Sequence, residues 1–218
     1  MSDGLNYAPV ARVAKPVCEP GAFRFAVAFM DHGHIFAMVA NLVAAGGSLH
    51  SVYEPNDEVA NQLLKRHPEA LRAGSFQQIL QSTEIKLVAA AAVPNQRGPI
   101  GIEVMRHGKD YFTDKCPFVS LQQLAEAKQA VLETGMKYAV CFSERLQNEA
   151  AEFARELVDD GVIGEVIQVL GLGPHRLSKA SRPAWFFEKD KYGGILCDIG
   201  SHQAEQFLTY SGNQQAEV

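Results

Sequence analysis

An aspartate and a histidine lie four residues apart near the end of the sequence, in the tract GGILCDIGSH that runs from Gly193 to His202. If the tract is helical, Asp198 and His202 share one face and lie within reach of each other. A carboxylate beside an imidazole can move a proton near neutral pH, but an Asp–His pair on the surface of an ordinary helix has the same spacing. A second constellation favours the chemical interpretation, because a short β-like run from Tyr111 ends in Lys115 and then a proline.

The elements that position these residues are indicated by short apolar runs that alternate with longer amphipathic stretches. This pattern predicts strands over 23–29, 49–53, 85–92, 110–113 and 137–142, helices over 35–45, 58–67, 100–107, 121–134, 148–159 and 195–210, and a longer strand over 162–173. Strands that alternate with helices indicate βαβ units and a parallel sheet. The predicted fold class is therefore α/β, with a doubly wound parallel sheet.

The same pattern divides the chain into three regions. An extended or disordered arm is predicted over 1–22, where prolines oppose helix formation. The doubly wound domain is predicted over 23–142. Residues 143–218 are predicted to begin a second domain. The long strand over 162–173 has no partner of comparable length after it, so its partners come either from another subunit or, as we favour, from a longer protein of which this domain is an incomplete part.

Charge and composition exclude several classes of protein. The formal net charge is only −5 and no dense stripe of lysine and arginine occurs, so no nucleic-acid partner is expected. No apolar run approaches the roughly 20 residues of a membrane span, so no membrane association is predicted either. The four cysteines, Cys18, Cys116, Cys141 and Cys197, are too widely spaced to indicate a metal or disulfide framework, which is typical of a cytoplasmic protein.

The turn after the first predicted strand is the expected site of a dinucleotide, because ligands of doubly wound sheets lie at the carboxyl ends of the strands. The G-x-G-x-x-G fingerprint would place glycines at 28, 30 and 33, and only Gly33 is present. Met30 at the middle position opposes close approach of a pyrophosphate. The helix that begins after Gly33 would still offer N–H groups to a phosphate.

An acidic residue, Glu54, ends the second predicted strand, 21 residues after Gly33. A separation of roughly 20 residues is expected of the acid that binds the adenosine ribose of NAD. No arginine follows directly, which favours NAD over NADP. A solvated glutamate that caps the next helix would give the same pattern.

The histidines of the first turn allow a metal-binding interpretation as well. Asp31, His32 and His34 all carry ligand atoms. No further ligand stands at a spacing typical of a metal site, so no metal site is predicted.

Five motifs, in their order along the chain, resemble the Gfo/Idh/MocA family of sugar and inositol dehydrogenases, typified by glucose–fructose oxidoreductase and inositol 2-dehydrogenase. They are Glu54-Pro55-Asn56, Val93-Pro94-Asn95, Asp114-Lys115-Cys116-Pro117 as a variant of the family's E-K-P, Gly161-Val162-Ile163-Gly164-Glu165-Val166, and the GGILCDIGSH tract, which is similar to the family's G-G-x-L-x-D-x-G-x-H helix. The resemblance extends from about residue 23 to residue 212. It implies a Rossmann nucleotide domain and an α+β substrate and oligomerisation domain, most of whose large sheet would be missing here.

The resemblance also implies a role for each matching residue. Lys115 would stabilise the developing alkoxide, His202 would be the general base that removes the hydroxyl proton, and Asp198 would orient His202 or hold a neighbouring hydroxyl. The cofactor would contact Met30, His32, Gly33, Glu54, Pro94, Asn95 and Lys115. The substrate would contact His202 and, from the irregular segment before the glycine pair, Arg182 and Trp185.

The implied function is that of an NAD-dependent oxidoreductase, for which NADP is also possible, in a cytoplasmic homo-oligomer. It would transfer a hydride between the nicotinamide and a hydroxyl or carbonyl group of a sugar or polyol. The alternative is a catalytically inactive relative that acts as a nucleotide or ligand sensor or as an assembly module. The missing glycines at 28 and 30 support this alternative, and the retained Lys115, Asp198 and His202 oppose it.

Overall fold

The computed structural model describes residues 15–212, so most of the arm predicted over 1–22 lies outside the described residues. The described chain divides into two compact units. The sheet unit comprises residues 15–141 together with Pro183–Gly194. The helical unit comprises Phe142–Arg182 and residues 195–212.

Strands and helices alternate through the sheet unit. Their order is β1 (Arg24–Ala28), α1 (His34–Ala44), β2 (Ser48–Tyr53), α2 (Asp57–Leu64), β3 (Leu71–Arg72), α3 (Phe76–Gln81), β4 (Leu87–Ala90), α4 (Pro94–Arg106), β5 (Asp110–Asp114), α5 (Leu121–Thr134) and β6 (Tyr138–Cys141). The six strands pair in parallel in the order β3-β2-β1-β4-β5-β6. This order confirms the predicted doubly wound α/β fold, with its crevice between β1 and β4 where the order reverses.

The central strands are apolar along their length because helices cover both faces of the sheet. Alternate residues of β1 point to opposite faces, so that Ala26 and Ala28 belong to one buried cluster and Phe25 and Val27 to the other. Residues of α1, including Ile35, complete the second cluster. Because residues of both clusters are closely packed and buried, the carboxyl ends of the strands are held at fixed positions.

Helix α4 begins at Pro94, six residues before the helix predicted over 100–107. The tract PNQRGPIG hides the helix because it carries two glycines and two prolines and no apolar stripe. Proline at the first position is favourable, and Pro99 inside the helix leaves the carbonyl of Asn95 without its helical donor. The side-chain amide of Gln123 donates to that carbonyl at 2.7 Å. Gly101 is required because a Cβ there would lie 2.5 Å from the rings of Tyr111 and Tyr138.

The helical unit contains α6 (Ser143–Leu146), α7 (Glu149–Asp159), α9 (Ile195–Asp198) and α10 (Gly200–Ser211), while the short α8 (Lys189–Tyr192) belongs to the sheet unit. Arg145 of α6 joins three helices, because its guanidinium donates to Glu152 of α7 and Glu205 of α10, each at 2.6 Å. No helix within residues 15–212 has the length and hydropathy that a membrane span requires.

Two predictions for this unit are wrong. Residues 162–173 form no strand, and apolar side chains such as Ile167 and Leu170 are largely exposed. A strand requires neighbours for its backbone N–H and C=O groups, and the described residues place no other strand beside this segment. The helix predicted over 195–210 is interrupted at Ile199, so Asp198 ends α9 and His202 lies in the first turn of α10.

Candidate active site

Four loops with polar side chains lie at the carboxyl edge of the sheet. They follow β1, β2, β4 and β5, which are neighbours in the parallel order β2-β1-β4-β5. Because parallel strands end at the same edge, this topology brings most of the predicted cofactor residues to one side of the sheet unit. The rest of the predicted site, Asp198, His202 and Arg182, belongs to the helical unit.

Glu54 braces the turn after β1 rather than capping α2. Its carboxylate, buried at the end of β2, accepts hydrogen bonds from the backbone N–H groups of Met30 at 2.6 Å and Asn56 at 2.9 Å. The cap of α2 is instead Asn56, whose side chain accepts from the N–H groups of Glu58 and Val59. The interpretation of Glu54 as a solvated cap is therefore wrong, and its charge lies against the turn that would hold a dinucleotide.

The turn after β1 is already hydrogen-bonded in several places. Besides Met30, the N–H of His32 donates to the carbonyl of Ala91 at 3.0 Å, and the N–H of His34 donates to Nδ1 of His32 at 3.3 Å. Gly33 begins α1 without a side-chain cap, and a Cβ there would meet nothing within 4 Å. The start of α1 therefore faces open space that a phosphate could occupy.

A buried arginine that the sequence analysis missed joins the turns after β4 and β5. Nε of Arg97 donates to the carbonyl of Ala92 at 2.7 Å. Its Nη1 donates to the carbonyl of Lys115 and, at 3.3 Å, to that of Cys116, and its Nη2 lies 3.4 Å from Oδ2 of Asp114. Removal of one partner from such a buried pair typically costs roughly 3–5 kcal/mol. Arg97 therefore fixes the backbone that carries Lys115.

Lys115 lies directly after β5 and is 7% exposed. On the adjacent loop, Pro94 is buried at the start of α4, and Oδ1 of Asn95 is buried with no hydrogen-bond partner among the described residues. A buried acceptor of this kind is costly unless a ligand donates to it. The orphaned oxygen, together with the open start of α1, fits an amide-bearing dinucleotide such as a nicotinamide cofactor.

Asp114, at the end of β5, is wholly buried and is surrounded by cationic or hydrogen-bonding groups. Its Oδ1 lies 2.9 Å from Nδ1 of His34, and its Oδ2 lies 3.3 Å from Nδ1 of His32. Burial alone would raise the pKa of Asp114, but the hydrogen bond from His34 and the charge of Arg97 outweigh it and lower the pKa. Burial lowers the pKa of His32 to about 4, so its ring is neutral at pH 7.

The two predicted substrate residues of the irregular segment fall in different units. Trp185 belongs to the sheet unit, where its ring centroid lies 6.4 Å from that of His32. Arg182 belongs to the helical unit, where its guanidinium lies 3.3 Å from Nδ1 of His175 and donates to the carbonyl of Leu177. Trp185 therefore adds an aromatic surface to the carboxyl edge of the sheet.

Asp198 and His202, both of the helical unit, are buried in the chain, being 9% and 2% exposed. The interpretation of the two residues as a pair on a helix surface is therefore wrong. Nε2 of His202 lies 3.9 Å from a carboxylate oxygen of Glu144, a residue that the sequence analysis did not select, and its ring packs against Phe142. An imidazole with a carboxylate nearby has the equipment of a general base.

The curated relatives of similar sequence are two dehydrogenases. The chain is 22% identical over 152 residues to D-xylose dehydrogenase of Paenarthrobacter nicotinovorans. The aligned residues cover 67% of this chain and 39% of that protein. It is 28% identical over 125 residues to scyllo-inositol 2-dehydrogenase (NAD(+)) of Bacillus subtilis strain 168, with 57% of this chain and 35% of that protein covered. The chain thus spans less than half the length of the curated relatives that it matches.

A crystal structure from Erwinia carotovora atroseptica SCRI1043, solved as a candidate oxidoreductase, superposes with a TM-score of 0.83 at 43% identity and covers 88% of this chain and 57% of that one. The model of the GFO/IDH/MocA C-terminal domain matches residues 152–218. These matches confirm the resemblance of the chain to the Gfo/Idh/MocA family. The matched residues include two of the five motifs, those over 161–166 and 193–202.

Proposed function

We propose that this chain contributes the cofactor site and part of the substrate site of an NAD-dependent sugar or polyol dehydrogenase. The observation that carries the proposal is Lys115, a buried lysine whose backbone Arg97 fixes at the carboxyl edge of β5. Two curated relatives of the chain are dehydrogenases of D-xylose and scyllo-inositol, which supports a hydroxylated small molecule as the substrate. The homo-oligomeric assembly and the cytoplasmic setting stay predictions.

The residues of the sheet unit would hold the cofactor in three places. The open start of α1, with Met30, His32 and Gly33, would receive the pyrophosphate. Glu54 would accept hydrogen bonds from the adenosine ribose through lone pairs that its two backbone donors do not use. Pro94 and Asn95, together with Lys115, would contact the nicotinamide and orient the ring that accepts the hydride.

The charges around Glu54 favour NAD over NADP. Pairing of β2 with β3 brings Arg72 to this place, where its guanidinium donates to the carbonyl of Glu54 and, at 2.9 Å, to Asp57. Two carboxylates against one guanidinium leave the surroundings of the ribose negative. A 2′-phosphate would meet the charge of Glu54 and would have to displace Asp57 from Arg72.

The chemical step requires a proton to leave the hydroxyl while a hydride leaves the same carbon. We assign removal of the proton to the imidazole of His202 and orientation of His202 or of a neighbouring hydroxyl to Asp198. The ammonium group of Lys115 stabilises the negative charge that develops on the oxygen. Trp185 and Arg182 are assigned to contacts with the rest of the substrate.

A non-catalytic sensor or assembly module is the second candidate. It is supported by the turn after β1, where Ala28 and Met30 replace two fingerprint glycines and three N–H groups already have acceptors. A protein of this kind would bind a nucleotide or sugar without turnover.

A turnover screen distinguishes the two functions. The purified chain is incubated with NAD⁺ and, one at a time, with a panel of aldoses and cyclitols, and formation of NADH is followed by absorbance. We expect at least one polyhydroxy compound to give turnover that depends on the enzyme concentration. Folded protein that binds NADH but yields no product with any member of the panel would contradict the dehydrogenase and favour the sensor.

A further inference from the structure

Three side chains of the sheet unit form a cluster of metal ligands that the nicotinamide chemistry does not require. They are an imidazole nitrogen each of His32 and His34 and a carboxylate oxygen of Asp114. No two of their ligand atoms lie more than 4.8 Å apart. Asp114 comes from the end of β5, 80 residues away from His34, which is why the histidine spacing alone gave no third ligand.

The spacing of these atoms is close to that of an occupied site. An ion with tetrahedral bonds of 2.0–2.2 Å holds its ligand atoms roughly 3.3 Å apart. The carboxylate oxygens of Asp114 lie 3.3 Å from Nδ1 of His32 and 2.9 Å from Nδ1 of His34. The two spacings between the carboxylate and the imidazoles therefore need little adjustment, and the spacing between the two imidazole nitrogens is at most 4.8 Å.

The contacts of His32 argue for a cation rather than a simple hydrogen-bonded cluster. Its Nδ1 accepts a hydrogen bond from the N–H of His34 at 3.3 Å, and an accepting ring nitrogen presents a lone pair instead of a proton. That lone pair faces Oδ2 of the buried carboxylate of Asp114. Two lone-pair-bearing atoms at this distance repel each other unless a positive charge lies between them. A hydrogen bond to Asp114 explains the position of His34 but not that of His32.

The chemistry of the ligands selects the ion. Two imidazole nitrogens and one carboxylate suit Zn²⁺ and neighbouring divalent transition metals, whereas Mg²⁺ and Ca²⁺ prefer oxygen ligands alone. Three protein ligands also leave a coordination position for water or for an oxygen atom of a bound ligand. Nη2 of Arg97 lies 3.4 Å from Oδ2 of Asp114 and holds the carboxylate in place. Its single positive charge weakens the attraction of the carboxylate for a divalent ion.

We propose that His32, His34 and Asp114 bind one divalent transition-metal ion of the Zn²⁺ type at the carboxyl edge of the sheet. His32 is also assigned to the pyrophosphate, but binding of the ion requires neither a nicotinamide nor a substrate and can be measured separately from the dehydrogenase function.

The experiment uses the full chain after chelator treatment and removal of the chelator. Co²⁺ is titrated as a spectroscopic probe and Zn²⁺ binding is measured by calorimetry. We expect one ion per chain, visible Co²⁺ bands of a four- or five-coordinate site, and at least about tenfold weaker binding in His34→Ala. His107→Ala, which removes an exposed histidine at the end of α4, is the matched control and should bind Zn²⁺ as the unmodified chain does.

X-ray absorption on the zinc-loaded, unmodified chain tests the ligands without relying on a variant. Two imidazole nitrogens and carboxylate oxygen in the first coordination sphere are expected. Thiolate ligands, or equal Zn²⁺ affinity in the unmodified chain and in a folded His34→Ala variant, would overturn the proposal. Absence of stoichiometric binding would overturn it too and would leave NADH binding and turnover unaffected.

Discussion

Lys115→Met is expected to lower kcat about 10²- to 10³-fold, the usual effect of removing one group that stabilises charge in the transition state. Methionine keeps the length and the apolar stem of this buried side chain but removes its ammonium group. Because that charge is assigned to the developing alkoxide, kcat should fall far more than the affinity for NADH. Initial rates with NAD⁺ and the best substrate, together with an NADH titration, give both quantities.

Lys128→Met is the matched control, since Lys128 is exposed on α5. Its kinetic constants should equal those of the unmodified chain. An unchanged kcat in Lys115→Met would contradict the assigned role. A loss confined to NADH affinity would limit Lys115 to cofactor binding.

His202→Asn is expected to lower kcat about 10²- to 10⁴-fold, the range for a general base. Asparagine fills part of the space beside Phe142 and keeps a polar group near Glu144. The specific readout is the pH profile, because a histidine base makes the rate rise with pH as the imidazole loses its proton. The rate of the variant should lack that rise. kcat is measured across the pH range at saturating NAD⁺.

His107→Asn provides the comparison for this experiment, because His107 lies exposed at the end of α4. Its rate and pH profile should not change. Retention in His202→Asn of the same pH dependence as in the unmodified chain would assign the proton to another group, of which the neighbouring Glu144 is the first to test.

The fold could be predicted from the sequence wherever local pattern and tertiary environment agree. The buried strands β1 and β4 carry apolar residues because helices cover both faces, and Leu121–Thr134 has both its apolar stripe and its Gly135 stop. The segment over 162–173 shows the opposite case. Its alternating pattern is that of a strand, but a strand also needs paired neighbours, which sequence pattern alone does not supply. The prediction made helix α4 too short, because its first turns carry glycine and proline. Packing, such as that of Gly101 against two tyrosine rings, holds this helix rather than helix propensity.

The position of a candidate site residue was predictable where it directly follows a strand, as Glu54 follows β2 and Lys115 follows β5. Arg97 was missed because its role depends on carbonyls from two loops, Ala92 and Lys115, that only the folded sheet brings together. The grouping of Asp114 with His32 was missed for the same reason. Long-range contacts of this kind leave no periodic signal in the sequence.

The central claim is that the turn after β1 still serves a dinucleotide, and a titration with NADH and with NADPH, followed by nicotinamide fluorescence, tests it most directly. We predict micromolar NADH binding, weaker NADPH binding, and a loss of about 10- to 100-fold in NADH affinity in Glu54→Ala, the effect of a lost charged hydrogen bond. Glu58→Ala, in the exposed first turn of α2, should bind as the unmodified chain does. Folded protein that binds neither cofactor would contradict the account.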